Sequence, residues 1–331
     1  MPKQWTAEEI FDMARSFQSA CIITAAAELD LFTALHRRPM DAESLAAELG
    51  SETRATTILL HALASLELLT KQDGSYAVGA GLIEMLSESS PQNILPMLRH
   101  TGTCLRRWAQ LARVVKSGQP AERIGGVLDE AAEEEAFIAA MNGFSAPVAA
   151  EVVNRLQPLE FDHLLDVGGA SGTWTIAFLK AAPNAKATIF DLPGVIPMAE
   201  ERMTDAKLAD RVNLAAGDFY EDDLPAGADL AWLGAIAHQN SREQNRELFV
   251  KVHAALKEAG HIVIRDVVMD PSHTTPRPGA LFAINMLVAT PAGGTYTLEE
   301  YAEDLKTAGF TDINLIHRDE FMNSLISAKK K

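Results

Sequence analysis

The chain has 331 residues, enough for two domains that each bury a core. With 47% apolar and 22% charged residues it has an ordinary globular composition, and a formal net charge of −16 works against a nucleic-acid partner, because binding phosphate needs a basic face. Cys21 and Cys104 fit no metal spacing or redox pair, the N-terminus MPKQWTAEEI lacks the layout of a signal peptide, and no apolar run approaches about 20 residues, so a cytoplasmic protein with no membrane partner is expected.

Residues 1–156 read as almost wholly helical. From Ala7 to Leu29, residues Ile10, Phe11, Ala14, Phe17, Ala20 and Cys21 recur at three- and four-residue steps, which predicts one helix with an apolar face. DAESLAAELG (41–50) is a short helix that Asp41 can cap and Gly50 can end. TRATTILLHALASLELL is a second helix, and KQDGSYAV sets an Asp-Gly turn at 73–74 between strand-like pieces, a hairpin signature. Helix, helix, hairpin is the order of a winged helix-turn-helix. A DNA-binding regulator is nevertheless disfavoured, because the candidate recognition helix has one Arg, one His and no Lys. Helical segments continue after Ser90 to about Leu156, and QPLEF (157–161) is the expected domain boundary.

From 157 to 331 strands and helices alternate. HLLDV, KATIF, RVNLAA, ADLAWLGAI and HIVIRDVV are strands. TWTIAFLKAAP, PGVIPMAEERM, SREQNRELFVKVHAAL and Thr297–Ala308 are helices, and INLIH with SLISAK can close as a hairpin. The pattern predicts an α/β fold, a doubly wound, mainly parallel sheet.

The strongest chemical signal is LLDVGGASGTW (164–174), in which a strand ends at Asp166 and Val167, a glycine turn follows and a helix begins. Such a turn lets a ligand approach backbone N–H groups at the carboxyl end of the sheet. The pattern is Asp-x-Gly-x-x-x-Gly, with Gly168 and Gly172, not the Gly-x-Gly-x-x-Gly of dinucleotide folds, and it suits a nucleoside without phosphate. The second strand ends at Asp191, where a carboxylate can accept both ribose hydroxyls, and the third ends in GDFY, where Asp218 can meet an adenine amino group and Phe219 can pack on the ring.

The sequence resembles the class I S-adenosylmethionine-dependent O-methyltransferases of the plant caffeate and acetylserotonin type and their bacterial relatives. The resemblance rests on LLDVGGASG, FDLPGV, AAGDFY, ADLAWLGAIAHQN, HAALKEAGHIVIRDVV and NMLVATPAGGTYTLEEYAEDLKTAGF, and it covers nearly the whole chain. It implies a seven-stranded Rossmann-like methyltransferase domain at 157–331 and a winged-helix-like dimerisation domain at 1–156 that lends part of the substrate pocket. It also implies S-adenosylmethionine as methyl donor, S-adenosylhomocysteine as product, no metal, a homodimer, and a small aromatic or polyketide-like acceptor. Gly169, Leu192 and Ser145 join Asp166, Gly168, Gly172, Asp191, Asp218 and Phe219 as the implied cofactor contacts.

A phenol is a poor nucleophile at neutral pH, so a base helps. His238 follows the fourth strand and can take the proton as neutral imidazole. By the resemblance Asp266, which ends HIVIRD, orients it. Phe137, Met141 and Phe144 fall at helical steps in EEEAFIAAMNGFS and match the substrate-contacting segment, with Asn285 and Met286 as further candidates. The chain departs from the family pattern at four places. Ala170 stands for a third glycine, Gly234 for a basic residue, His238-Gln239-Asn240 for His-Asp-Trp, and Thr295 for a Glu. These leave open a second reading, in which bound S-adenosylmethionine assists hydroxylation or decarboxylation without methyl transfer.

Overall fold

The computed structural model describes residues 3–90, 92–157 and 160–331. Pro158 and Leu159 of the expected boundary segment lie outside the described residues. The chain forms two compact units, Met1–Ala109 with Glu122–Gly143, and Gln110–Ala121 with Phe144–Lys331.

The first unit carries α1 (Ala7–Arg15), α2 (Phe17–Glu28), α3 (Leu31–Arg37), α4 (Ala42–Leu49), α5 (Thr53–Ser65), a hairpin of β1 (Leu69–Gln72) and β2 (Ser75–Val78), and α6 (Leu95–Trp108). The expected continuous helix over 7–29 is broken at Ser16, whose hydroxyl donates to the Met13 carbonyl at 2.8 Å, a local bond that competes with the helix ladder. Asp41 accepts the Ser44 N–H at 2.8 Å and Gly50 closes α4 in the left-handed region, as expected. In the hairpin Asp73 and Gly74 both have positive φ (49° and 83°), which is what a two-residue turn matched to strand twist requires. Leu31, Phe32, Leu45, Leu60, Leu63 and Tyr76 form the core of this unit. Helix α1 buries none of its residues, and Ile10, Phe11 and Met13 stay exposed with Phe17 of α2.

The second unit begins with α7 (Leu111–Ser117), and α8 (Glu130–Asn154) carries the chain out of the first unit and into the second. The expected division at 156/157 therefore differs from the compact units. The physical reason is that Ala149, Val152 and Val153 of α8, and Leu156 after it, pack in a core cluster with Leu164, Phe178 and Trp232. Helix α8 is also the one helix among the described residues long and apolar enough, by length and composition, to cross a membrane. Its ends are otherwise engaged, Glu133 by Arg106 at 2.6 Å and Val152 and Val153 by that core.

The alternating elements follow: β3 (His163–Val167), α9 (Thr173–Ala181), β4 (Lys186–Asp191), α10 (Ile196–Asp205), β5 (Val212–Ala216), β6 (Ala228–Gly234), α11 (Arg242–Ala255), β7 (Leu256–Asp266), β8 (Val268–Met269), α12 (Arg277–Ala289), β9 (Tyr296–Thr297), α13 (Leu298–Thr307), β10 (Thr311–His317) and β11 (Ser324–Lys329). Among the described residues seven strands make one sheet in the order β10-β11-β7-β6-β3-β4-β5, and the pairs from β5 to β7 are parallel while β11 joins antiparallel to both neighbours. The chain leaves β3 toward β4 and β5, then returns to β6 on the other side of β3. That reversal opens a crevice at the carboxyl ends of β3 and β6, where ligands bind in folds of this class. Core clusters cover both faces of the sheet, and Leu164, Leu165 and Val167 of β3 are completely buried, which explains its unbroken apolar run.

Candidate active site

The glycine turn begins where β3 stops. The Gly168 N–H donates to the Phe190 carbonyl at 2.9 Å, extending the β3–β4 ladder by one bond, and the chain then turns over with Gly168 at φ 66°. A Cβ on Gly168 would stand 2.6 Å from the Ile236 side chain, so only glycine lets this backbone run so close to the segment that follows β6. Ala170, where the family resemblance expects glycine, also has positive φ (47°). Its conformation is held by its N–H, which donates to Asp191 Oδ2 at 2.7 Å. Gly172 caps α9.

Asp166 and Asp191 take different places. Asp166 is 1% exposed and lies beneath the turn, where its Oδ2 accepts the Thr175 hydroxyl at 2.7 Å and its carboxyl stands against Gly169. Burial pushes its pKa up to about 7, opposed by the Thr175 hydrogen bond and reinforced by the charge of Asp191. Asp191 is partly exposed, and burial raises its pKa against the two N–H groups, of Ala170 and Leu192, that it accepts at 2.7 Å each. A carboxylate offers about four acceptor positions, so the two that remain suit a vicinal pair of hydroxyls. Leu192 is exposed beside it.

The third strand end contributes Asp218, which accepts the Tyr220 N–H at 2.9 Å, and Phe219, whose ring is 4.6 Å from that of Tyr220 and 3.9 Å from the position of a Cβ on Gly168. The structure thus brings Gly168, Gly169, Asp191, Leu192, Asp218 and Phe219 to adjoining strand ends. Ser145 is buried on α8.

Beyond β6, a single turn of 3-10 helix, Ala237–Gln239, carries His238. Its Nδ1 lies 2.9 Å from Asp266 Oδ1 at the end of β7, and its backbone N–H donates to Oδ2 at 3.2 Å. With the Val267 N–H at 2.7 Å, the fully buried Asp266 carboxyl has three donors, which offset the cost of removing it from water. A carboxylate on Nδ1–H fixes the tautomer and leaves Nε2 as the acceptor. Gly294 N–H donates to the His238 carbonyl at 2.9 Å, and a Cβ on the preceding Gly293 would meet that carbonyl at 2.6 Å. The loop between α12 and β9 can close on the His238 turn only because position 293 has no side chain.

A row of rings leads away from the imidazole, each packed edge to face on the next. His238 meets Phe282 at 4.8 Å, Phe282 meets Phe321 at 5.5 Å, and Phe321 meets Phe144 at 6.2 Å. The family resemblance implies Phe144 at the substrate wall. Phe282 and Phe321 were not singled out. Phe282 lies three residues before Asn285 on α12, a periodic signal that was available, whereas Phe321 sits in the loop before β11, where no periodicity exists to find it. On the same helix Asn285 is half-buried and Met286 is buried. Phe137 and Met141 lie on the part of α8 that belongs to the first unit, where the Phe137 ring lies 5.1 Å from His100.

The missing base at Gly234 also has a local cause. A Cβ there would stand 2.5 Å from Trp232 Nε1, so the indole occupies the space a side chain would need. Across the ladder Gly234 pairs with Arg265, a buried guanidinium stacked 4.4 Å over Trp174 and donating to Asn323 at 2.9 Å, with its pKa drawn down to about 10 by burial. Among the described residues no group of three or more His, Cys, Asp or Glu is placed to hold a metal ion.

Comparison with known proteins identifies the family. The profile of the O-methyltransferase domain matches residues 108–311, and that of the O-methyltransferase dimerisation domain matches 11–81. The tetracenomycin polyketide synthesis 8-O-methyl transferase of Streptomyces glaucescens is 30% identical over 92% of this chain and 91% of its own. The 3-hydroxy-5-methyl-1-naphthoate 3-O-methyltransferase of Streptomyces sahachiroi is also 30% identical, over 92% of this chain and 90% of its own. The crystal structure of human N-acetylserotonin methyltransferase in complex with S-adenosylmethionine superposes with a TM-score of 0.83 at 26% identity, covering 100% of this chain and 99% of that one. With its profile spanning well over half of the sequence and its dimerisation domain ahead of it, this chain belongs to the O-methyltransferase family.

Proposed function

We propose that the protein transfers the methyl group of S-adenosylmethionine to a hydroxyl of a small aromatic or polyketide-like acceptor, with His238 as general base. The observation that carries this reading is the His238–Asp266 pair, held at 2.9 Å at the carboxyl ends of the strands beside the glycine turn. When bound, S-adenosylmethionine supplies an electrophilic methyl carbon on a sulfonium. Asp191 would accept the ribose hydroxyls, Gly168 and Gly169 would let the backbone approach, Leu192 and Phe219 would flank the base, and Asp218 would meet its amino group. Asp166 supports the turn from beneath.

Displacement at a methyl group is in-line, so the acceptor oxygen must be held close and aligned. Nε2 of His238 takes the acceptor proton as the oxygen attacks, and Asp266 holds the ring in the tautomer that allows it. The Phe282, Phe321 and Phe144 rings make an apolar edge beside the imidazole that suits a flat acceptor. The acceptor class is also that named for the two Streptomyces relatives. The chain is further proposed to act as a homodimer, since Phe11 and Met13 of α1 and Phe17 of α2, all exposed, fall in the matched dimerisation domain.

The test is transfer of a labelled methyl group from S-adenosylmethionine to a panel of polycyclic phenols. Label in the acceptor, lost in His238→Ala, supports the reading. Tight cofactor binding with an acceptor that leaves hydroxylated or decarboxylated and unlabelled overturns it.

A further inference from the structure

We propose that Asn240 is a positioning residue that ties the His238 turn to the loop reached by the cofactor's base, so that filling the cofactor site aligns the imidazole. The inference rests on the readings of His238 and of the Asp218–Phe219 loop given above.

Asn240 stands where the family resemblance expects tryptophan, and it is completely buried. A buried amide must have its polar atoms met, and here they are met by three different elements. Its Oδ1 accepts the Tyr220 hydroxyl, its Nδ2 donates to Asn245 Oδ1 at 3.0 Å, and its backbone carbonyl accepts the Tyr296 hydroxyl. Asn245 in turn donates Nδ2 to the Ala237 carbonyl at 2.9 Å, and Ala237 begins the single turn that holds His238. The turn is therefore gripped at both ends by one side-chain network. A tryptophan side chain at 240 could donate one hydrogen bond and accept none, so it could not make the two side-chain links.

The other end of the network reaches the cofactor side. Tyr220 follows Phe219 directly, with ring centroids 4.6 Å apart, and is 46% exposed although its hydroxyl is turned inward to Asn240. A base that settles on Phe219 fixes Tyr220 as well. Through Tyr220 and Asn240 it fixes the turn two residues from the imidazole. Networks of linked hydrogen bonds carry more than their separate bonds, and they have one satisfied arrangement.

The experiment follows the His238 imidazole by NMR in histidine-labelled full-length protein, with the signal assigned by its absence in His238→Ala. In the wild type, saturation with S-adenosylhomocysteine moves the His238 signals. Tyr220→Phe deletes one hydroxyl from an exposed ring and keeps the fold, whereas Asn240→Ala empties a buried site. In Tyr220→Phe, S-adenosylhomocysteine still binds, but most of the movement of the His238 signals is lost. Turnover falls about 3- to 10-fold with the acceptor KM unchanged, the worth of one hydrogen bond. Asn240→Ala, where it folds, shows the same loss in larger measure. The proposal is overturned if the wild-type His238 signals do not respond to S-adenosylhomocysteine, or if Tyr220→Phe keeps the full response. His238→Ala turnover is read separately. Its survival would remove the base assignment, while the NMR comparison would still decide the coupling.

Discussion

The glycine turn and the rim around His238 lie at the carboxyl ends of strands of the same sheet, and they are built by opposite means. The turn is made of consecutive residues, Asp166 to Gly172, and its grip is mostly backbone: ladder bonds, left-handed φ values and one carboxylate from the next strand. The rim is made of side chains drawn from β6, β7, α11, α12 and β9, and its key contacts, such as His238 with Asp266 and Tyr296 with Asn240, join residues far apart in the chain. The turn tolerates Ala170 for glycine because neighbouring bonds hold it. The rim has absorbed Gly234, whose side-chain space Trp232 fills, and Asn240, which has hydrogen-bond partners of its own. A backbone site is a local property, whereas a side-chain site is assembled and can be reassembled.

Substitutions on each side should separate the two. The largest effect is expected at the rim. His238→Ala should lower turnover by about 10²- to 10⁴-fold, the usual worth of a positioned base, and leave S-adenosylhomocysteine affinity nearly unchanged. Asp266→Asn should cost less, since it disturbs orientation and one hydrogen bond. Steady-state kinetics beside calorimetry would break the comparison if both variants lost cofactor binding.

The reverse pattern is expected at the turn. Asp191→Ala should weaken S-adenosylmethionine binding by about tenfold or more, because hydrogen bonds to a charged group contribute roughly 1.5–3 kcal/mol. Isothermal calorimetry measures it directly, and unchanged affinity would move the ribose site elsewhere.

Asp166 sharpens the contrast through pH. Its carboxyl titrates near about 7 in the folded protein, against an ordinary value of 3.8. A raised folded pKa favours folding in full below the unfolded value, and that contribution is lost as pH rises through the folded one. Asp166→Asn removes this dependence and keeps an acceptor for the Thr175 hydroxyl. The melting temperature of the variant relative to wild type should therefore rise between about pH 4 and about pH 7. A difference constant over that range would mean that Asp166 stays ionised beneath the turn.

The smallest effect is expected at Ala170. A non-glycine residue at φ 47° carries left-handed strain. Ala170→Gly should relieve it and stabilise the protein by at most about 1 kcal/mol, since glycine also has more freedom to lose on folding. Denaturant unfolding would show it, and a clear destabilisation would mean that the Ala170 methyl group is packed against something of value.

Much of the architecture was legible from local pattern. The strand-to-glycine-to-helix signature at 164–174, the Asp-Gly turn at 73–74 and the Asp41 and Gly50 caps each depend on a few adjacent residues, and each stands where the pattern put it. Periodicity failed where a local bond or a distant contact prevailed. Ser16 interrupts an otherwise continuous apolar stripe by bonding back to Met13, and the second unit resumes at Phe144, within α8 and ahead of the expected boundary, because the last turns of that helix bury Val152 and Val153 there.

By itself, then, the sequence determined the order of elements, the nucleoside-type glycine turn with Asp191 behind it, and His238 with Asp266 as a candidate pair. The first two follow from residue type, spacing and position at strand ends, and the pairing of Asp266 with His238 is what the family resemblance implied. Tertiary structure alone decided that Asp166 lies under the turn while Asp191 is partly exposed, that Trp232 fills the space above Gly234, that Phe282 and Phe321 extend from the imidazole, and that Asn240 and Asn245 clamp its turn. The reason is the reach of the forces involved. Backbone conformation is set within a few residues, whereas burial and side-chain hydrogen bonding depend on which distant segments the sheet brings together.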